Sequence, residues 1–349
     1  MEREVFRTAS AIVPVYNGSD TLARCLDSLR RQGHALKEII VIDDGSRDGS
    51  LDLLRSFAEK DTRFIVIQHG QNQGLARTLN DGIARVTGDA VLIMQQDCEL
   101  AADDWIDRAL VFLLANPRAV VAGTPVYPFQ EMNSVEVAFG LLRDTFFVAP
   151  DEVETLAFSE FKCDLLPRSV LKAIPFDSRF RISGEDQALS MDIARAGYTI
   201  LRYQDLRYVQ RFGKGASLLH QLRKEATYAR TEAGVLLRTS FRVASQSRGS
   251  STSSRRLTNR ASSLLVVVAV VLAAILFVLG ANGFLYVVTV VPVLPRIGLV
   301  VSRWTSFSHS DAVRARSLAC ALAVMAVADL TYGLFLVEGS LAYAVTRRV

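Results

Sequence analysis

The chain has 349 residues, half of them hydrophobic, and a positive mean hydropathy of +0.23. Its 40 basic and 36 acidic residues leave a net charge of only +4 and are interleaved over most of the chain, which argues against a nucleic-acid-binding protein. Its four cysteines are scattered, without the paired spacing of a zinc site or of a secreted disulfide framework, so we expect a reducing environment for the folded part.

The first half of the chain alternates between predicted strands and helices, which indicates an α/β domain with a mostly parallel sheet sandwiched by helices. Further on, a helix over 185–196 and a strand over 198–203 continue this pattern, whereas 130–161 has no clear assignment. A dehydrogenase is disfavoured, because no Gly-x-Gly-x-x-Gly follows the first strand. The predicted strands are 10–16, 38–42, 64–68 and 90–95, and the predicted helices are 19–32, 51–60 and 74–87.

The composition divides the chain into three regions. Residues 1–244 form the α/β domain, 245–262 a basic, serine-rich linker and 263–349 an apolar region. The short, acidic start of the chain is not a signal peptide, so we expect the first domain not to be exported. Before the linker, residues 214–242 predict one or two amphipathic helices that lie either on a membrane surface or on the domain itself.

The apolar region contains three runs that are long enough to cross a bilayer, and a buried helical hairpin is the alternative. Arginines precede the first run and lie between the second and third, which places both segments on the cytoplasmic side. Three spans leave Arg347 and Arg348 outside, against that rule, unless the second run is re-entrant. Asp329 in the third run is costly in lipid and is therefore a functional or packing candidate. The runs are 263–280, 283–301 and 317–336.

Two predicted strands end on side chains that suit a nucleotide. The first runs into Tyr16, whose ring can stack on a base, although an ordinary turn is an equal alternative. The second ends on Asp43 and Asp44, whose like charges repel unless a cation, water or a donor-rich ligand such as a base or ribose is present. The carboxyl ends of strands are where open α/β sheets bind ligands, but Asp-Gly pairs are also common in plain turns.

Acidic residues also lie after the fourth predicted strand and at the start of a later predicted helix. Asp97 comes after the fourth strand and can hold Mg²⁺ or Mn²⁺ bridging diphosphate oxygens, with a solvated strand end as the alternative. Glu185 and Asp186 begin a predicted helix. They either complement the helix dipole, with Ser183 as the cap, or provide a carboxylate that takes a proton from an incoming hydroxyl.

In this order along one α/β domain, these features resemble the family-two glycosyltransferases of the GT-A fold. The resemblance covers about residues 8–240. It rests on five segments, which are Val13-Pro14-Val15-Tyr16-Asn17, the Asp43-Asp44-Gly45-Ser46 turn, Asn72-Gln73-Gly74-Leu75-Ala76 with Asn80, Gln95-Gln96-Asp97, and Gly184-Glu185-Asp186.

The resemblance implies a GT-A-type, Rossmann-like sheet followed by C-terminal transmembrane helices, and an inverting transfer with Asp186 as base and Glu185 beside it. Asp97 keeps the metal role of the family's Asp-x-Asp motif, while Gln95 replaces its first aspartate, and Gln210 replaces a downstream histidine. The residues implied in nucleotide-sugar binding are Pro14, Tyr16, Asn17, Asp43, Asp44, Ser46, Gly74, Asn80, Gln95 and Gln96.

The sequence therefore predicts an integral membrane enzyme with a cytoplasmic catalytic domain and no nucleic-acid partner. It would move a sugar from a nucleotide-diphosphate donor to a lipid-linked glycan or polysaccharide of the cell envelope. Two alternatives are a polyprenyl-phosphate sugar synthase and a non-catalytic relative that has lost its metal through the change at Gln95.

Overall fold

The computed structural model of the chain describes residues 5–142, 152–180, 184–213 and 217–238, together with scattered positions between 267 and 338. The chain divides into two compact units. One comprises Met1–Tyr127 with Val148–Lys214, and the other Pro128–Phe147 with Gly215–Val349.

The first part of this unit, up to β4 (Ala90–Met94), confirms the predicted alternation of strands and helices, with boundaries that shift by up to four residues. Tyr16 lies just beyond the first strand, and the third helix ends at Ile83, four residues before its predicted end. The elements up to this point are β1 (Ala9–Val15), α1 (Leu22–Arg30), β2 (Leu36–Asp43), α2 (Ser50–Ala58), β3 (Phe64–Gln68), α3 (Leu75–Ile83) and β4 (Ala90–Met94).

The later part of this unit contains strands that the sequence did not reveal. The strand Cys163–Pro167 has an aspartate at its second position and ends at a proline, so it lacks an obvious strand pattern, and the strand Thr199–Gln210 extends seven residues past its predicted end. The elements are β5 (Cys98–Leu100), α4 (Trp105–Ala115), β6 (Ala119–Val126), β7 (Val153–Leu156), β8 (Cys163–Pro167), α6 (Arg168–Ala173), α7 (Glu185–Arg195) and β9 (Thr199–Gln210).

The nine described strands form one mixed sheet in the order β3-β2-β1-β4-β8-β6-β9-β5, with β7 paired to β9. β3, β2, β1 and β4 are mutually parallel, as predicted, but β8 pairs antiparallel with both β4 and β6. The predicted parallel order is therefore confirmed from β3 to β4, whereas the second half is mixed, because β6 and β9 pair parallel but β8 and β5 pair antiparallel with their neighbours. Strands buried on both faces have similar sequences in either pairing sense, so only the chain connections decide it.

Helices cover both faces of this sheet, as predicted. Alternate strand residues point to opposite faces, so Val13 and Val41 pack with α1, α2 and α4, whereas Ile12 and Ile40 pack with α3, α6 and α7. Each of these four side chains is fully buried. The sheet is a rigid base from which the loops at its edges are held.

The second unit contains a short 3₁₀ turn at Phe129–Glu131, α5 (Ser134–Leu142) and α8 (Leu218–Arg238). α8 confirms a helix within the predicted amphipathic segment. Its Arg230 pairs with Glu338 at 3.1 Å, and its guanidinium lies 4.2 Å from the centre of the Phe335 ring.

Among the residues that the structure describes, no helix is both long and apolar enough to cross a membrane. The predicted linker at 245–262 lies outside the described residues, as do Asp329 and nearly all of the three predicted spans.

Candidate active site

The turns after β1, β2 and β4 lie together because these three strands are parallel neighbours. Val15 is paired with Asp43 in the sheet, and β1 is paired with β4 from Ala9 to Ile12. Beyond the strands, the Asp44 N–H donates to the Val15 carbonyl oxygen at 2.7 Å. The predicted nucleotide and metal segments therefore share one edge of the sheet.

The turns after β1 and β2 are joined by hydrogen bonds from backbone N–H groups of one turn to side-chain oxygens of the other. The Asn17 N–H donates to Ser46 Oγ at 3.0 Å, and the Arg47 N–H donates back to Asn17 Oδ1 at 2.8 Å. The Gly18 N–H donates to Ser50 Oγ at 2.9 Å. Asn17 has a φ of 49°, a left-handed conformation that asparagine tolerates better than most residues. Asn17 and Ser46, predicted to bind nucleotide, thus hold the two loops in register.

Asp44 is used inside the protein. Only 4% of the residue is exposed, and its carboxylate accepts hydrogen bonds from His69 Nδ1 at 2.8 Å and from the N–H groups of Gln73 at 2.8 Å and Gly74 at 3.0 Å. The other ring nitrogen of His69 lies 3.2 Å from Asp81. Gly74 has a φ of 92°, which favours glycine, and it immediately precedes α3. Asp44 therefore fixes the loop that leads into α3.

Asp43 differs from its neighbour although it is buried even more deeply, with 1% exposed. Among the described residues, its side chain receives hydrogen bonds only from the Ser46 N–H, at 3.3 Å to each oxygen. Such long bonds satisfy a buried charge poorly, so the Asp43 carboxylate can accept stronger donors from a ligand. Of the other predicted base-binding residues, Pro14 is buried in β1 opposite Ile42, and Tyr16 is 45% exposed just beyond that strand.

The Gln95-Gln96-Asp97 turn connects β4 to β5. The Gln95 N–H donates to the Lys162 carbonyl at 3.0 Å, and the Asp97 carbonyl accepts the Arg211 N–H at 2.8 Å. The Gln96 side chain bonds to the backbone of Tyr16. Gln210 lies opposite Cys98 in the sheet, one residue from Asp97, and accepts a hydrogen bond from the Tyr127 hydroxyl at 3.0 Å.

Within the described part of the chain, no group of three His, Cys, Asp or Glu side chains is arranged to hold a metal ion. The predicted site therefore reduces to the Asp97 carboxylate and the neutral Gln95 amide. Magnesium-type ions are often held by one or two carboxylates together with substrate phosphates and water. A single carboxylate such as that of Asp97 is compatible with a cation of that kind.

Asn80 lies on α3, and its amide bonds to the backbone of Phe176 in both directions. Asn80 Nδ2 donates to the Phe176 carbonyl at 2.8 Å, and the Phe176 N–H donates to Asn80 Oδ1 at 3.0 Å. Both polar groups of this side chain are thus used to hold the segment after α6. A nucleotide-sugar contact from Asn80, as predicted, would have to use the second N–H or the second lone pair of this amide.

Glu185 and Asp186 form the first turn of α7. The predicted cap at Ser183 is wrong, because Gly184 is the residue that precedes the helix, with a φ of 98°. Glu185 is 7% exposed, and its Oε2 atom is buried without a hydrogen-bond partner among the described residues. Burial and the adjacent Asp186 charge raise the pKa of Glu185 to about 8. Asp186 accepts the Gln187 N–H at 2.7 Å.

The direction of α7 follows from its connection to β9. β9 begins at Thr199 beside Ala119, at the opposite edge of the sheet from the three turns, because β6 and β9 run parallel to each other and in the same sense as β4. The C-terminal end of α7 therefore lies near that edge, because β9 begins a few residues after the helix ends. Its first turn, with Glu185 and Asp186, therefore points toward the edge that carries Asp43 and Asp97.

Sequence reasoning missed a polar connection from α7 to the middle of the sheet. The Ser159 hydroxyl donates to Asp164 at 2.7 Å, and the Ser159 N–H donates to Ser190 Oγ on α7 at 3.2 Å. Burial raises the pKa of Asp164, on β8, to about 7. The one signal in the sequence was an aspartate within the apolar stretch Cys-Asp-Leu-Leu. His69 was also missed, because only the fold brings it to Asp44.

Comparisons with known proteins show which proteins this chain is similar to. Residues 10–174 match the family described as "Glycosyl transferase family 2". The chain is 28% identical over 222 residues to glycosyltransferase GlyA of Streptococcus pneumoniae, covering 59% of this chain and 31% of that protein. It is 29% identical over 185 residues to an uncharacterized glycosyltransferase of Haemophilus influenzae, covering 52% of this chain and 70% of that protein. The match thus spans about a third of the pneumococcal relative.

One solved structure supports the fold. The mannosyltransferase PcManGT from Pyrobaculum calidifontis, in complex with GDP-Man and Mn²⁺, aligns with a TM-score of 0.54 at 16% identity, covering 98% of this chain and 88% of that one. The mixed sheet flanked by helices is therefore GT-A-like. Residues 10–174 are therefore similar to glycosyltransferase family 2, the enzyme class that the motifs of the chain predict.

Proposed function

We propose that this protein transfers a sugar, with inversion, from a nucleotide-diphosphate donor to a glycan or lipid-linked acceptor at the cytoplasmic face of a membrane. One observation carries the proposal. The turns with Tyr16, Asp43 and Asp97 follow parallel strands at one sheet edge, toward which the first turn of α7 points with Glu185 and Asp186. This edge combines groups for a base, a diphosphate and a proton.

The nucleotide end of the donor binds at the turns after β1 and β2. The exposed Tyr16 ring offers a surface on which a base can stack, and the poorly satisfied Asp43 carboxylate accepts donors from base or ribose. Asp44 supports this site indirectly through the loop before α3. The Pyrobaculum mannosyltransferase, which shares the fold, binds GDP-Man, and this supports a nucleotide sugar as the ligand class.

Asp97 would hold Mg²⁺ or Mn²⁺ together with the donor diphosphate. When bound, such an ion neutralises the charge that develops on the leaving diphosphate. The Mn²⁺ in the Pyrobaculum structure supports this assignment. With Gln95 in place of a second carboxylate, we expect the affinity for the metal to depend strongly on the diphosphate.

Asp186 takes the proton from the acceptor hydroxyl. As its oxygen attacks the anomeric carbon of the sugar, the bond to the diphosphate breaks on the opposite face, which inverts the configuration. A base is effective only when ionised. The raised pKa of Glu185 keeps that neighbour neutral near pH 7 and leaves the negative charge of the pair on Asp186.

A membrane acceptor is supported by the sequence of the C-terminal region. Its three apolar runs and flanking arginines are typical of a cytoplasm-facing membrane anchor. α8 ends shortly before the linker and carries Leu219 with 58% exposed and Tyr228 with 40% exposed. This helix is suited to guide a lipid-linked acceptor along a membrane surface.

The test is a transfer assay with nucleotide sugars on membranes containing the full chain, with and without Mn²⁺. Asp186→Asn should retain nucleotide binding and lose transfer at least about a hundredfold, the scale of a general base. Asp192→Asn is the matched control on the same helix, since Asp192 pairs with Arg195 at the surface, and it should keep transfer. Full transfer by Asp186→Asn would refute its role as the base.

Two further arms separate the alternatives. Transfer to polyprenyl phosphate as the sole acceptor would favour the polyprenyl-phosphate sugar synthase, whose nucleophile is already an anion. Turnover that is lost in Asp97→Ala would exclude a non-catalytic scaffold.

A further inference from the structure

The Gln96 side chain forms a two-point hydrogen bond with the backbone of Tyr16. The Tyr16 N–H donates to Gln96 Oε1 at 2.9 Å, and Gln96 Nε2 donates to the Tyr16 carbonyl at 3.1 Å. The backbone groups settle the orientation of the amide, because the N–H needs an acceptor and the carbonyl needs a donor. The two residues are 80 positions apart in the chain.

This pair joins the turn after β1 to the turn after β4. Tyr16 is held at its own backbone by Gln96, and the next residue, Asn17, is held by Ser46. The Tyr16 ring is nevertheless 45% exposed. The backbone that carries the ring is therefore anchored, while the ring remains accessible to a ligand.

We propose that Gln96 is a positioning residue that holds the Tyr16 ring for stacking on the nucleotide base. Each polar end of its amide is engaged by the Tyr16 backbone, so the role we assign to Gln96 acts through Tyr16. Because Asp97 is the next residue, the same contact couples the base end of the site to the diphosphate end. The inference rests on the proposed nucleotide-sugar function and identifies how its base platform is held.

Gly18 leaves the room for this contact. A Cβ atom at Gly18 would overlap the Gln96 amide, including its Nε2 atom at 2.8 Å. The amide is the end of a flexible side chain, so Gly18→Ala should displace it from Tyr16. This substitution offers a way to break the contact without changing Gln96.

The contact itself is tested without any ligand. We expect residue-resolved hydrogen exchange of the Tyr16 N–H to become about tenfold faster in Gln96→Met, since a hydrogen bond of this kind contributes about 1.4 kcal/mol. Gly18→Ala should have the same effect. Gln68→Met, at a glutamine that bonds to the Arg55 side chain, is the control and should leave exchange at Tyr16 unchanged. Unchanged exchange in both Gln96→Met and Gly18→Ala would overturn the inference.

Its link to function is tested by the affinity for UDP and GDP in a double-mutant cycle. Gln96→Met should weaken binding of the better ligand about three- to tenfold, and less than about twofold in a Tyr16→Ala background, because its effect passes through stacking of the base on the Tyr16 ring. Equal losses in both backgrounds would mean that Gln96 contacts the nucleotide itself and would overturn the inference. If the wild-type protein binds neither UDP nor GDP while the two variants still show faster exchange at Tyr16, that outcome would overturn the proposed function and the stacking role. It would leave the contact between Gln96 and Tyr16 established.

Discussion

Replacing Asp44 with asparagine should destabilise the fold, although its position in the sequence suggests a ligand contact. The carboxylate accepts three hydrogen bonds, from His69 Nδ1 and from the N–H groups of Gln73 and Gly74, at 2.8–3.0 Å. An asparagine side chain has one acceptor oxygen, so its NH₂ group would face one of these donors. One buried donor would lose its partner, and the remaining hydrogen bonds would no longer have a negatively charged acceptor.

The size of the effect follows from these bonds. A hydrogen bond to a charged group contributes about 1.5–3 kcal/mol, and a buried donor without a partner costs about 1–3 kcal/mol. We expect the free energy of unfolding to fall by about 3 kcal/mol, against a total stability of about 5–15 kcal/mol for a typical protein. Urea unfolding of the purified chain, followed by tryptophan fluorescence and extrapolated to water, measures this difference.

Asp43→Asn is the matched control, because it makes the same chemical change one residue earlier. The Asp43 carboxylate receives only the long Ser46 bonds among the described residues, so we expect its stability to change by less than about 1 kcal/mol. Its affinity for the preferred nucleoside diphosphate should fall at least about tenfold, or about 1.4 kcal/mol. Equal losses of stability in the two variants would refute the division of roles. So would an Asp44→Asn protein that is stable but no longer binds nucleotide.

Three further predictions concern the same domain. The wild-type protein should lose stability relative to Glu185→Gln as the pH rises from about 4.5 to about 8, because the raised pKa keeps the Glu185 carboxyl protonated in the folded state while it ionises in the unfolded state. Parallel curves of unfolding free energy against pH for the two proteins would contradict this. Asn80→Ala should lower the free energy of unfolding by about 1–3 kcal/mol through its two bonds to Phe176, and a stable variant with weakened nucleotide binding would instead favour a ligand contact. Gln95→Asp should tighten Mn²⁺ binding in the presence of nucleoside diphosphate, as measured by electron paramagnetic resonance, and unchanged affinity would show that side chain 95 does not face the ion.

The local sequence pattern was sufficient to predict the strands, the helices and the parallel strand order in the first half of the domain. β1, β2 and β4 are largely buried on both faces, β3 lies at the edge of the sheet, and all four alternate with amphipathic helices, so their sequences specify strand, helix and parallel order. The second half of the domain was harder to predict from the sequence, because β8 contains the buried Asp164 and pairs antiparallel to β4. Pairing sense depends on how the chain returns to the sheet, which local propensity does not encode.

The sequence by itself predicted the enzyme class and determined which segments carry the candidate site residues, since strand ends, acidic pairs and helix starts are local features. Only the tertiary structure decided what each side chain does there. Asp43 and Asp44 are adjacent in sequence, yet Asp43 is the last residue of β2 and keeps only the long Ser46 bonds among the described residues, whereas Asp44 lies beyond the strand and meets His69 and the loop before α3. Gln96 likewise finds its partner 80 residues away, at a contact that exists only once β1 and β4 lie side by side.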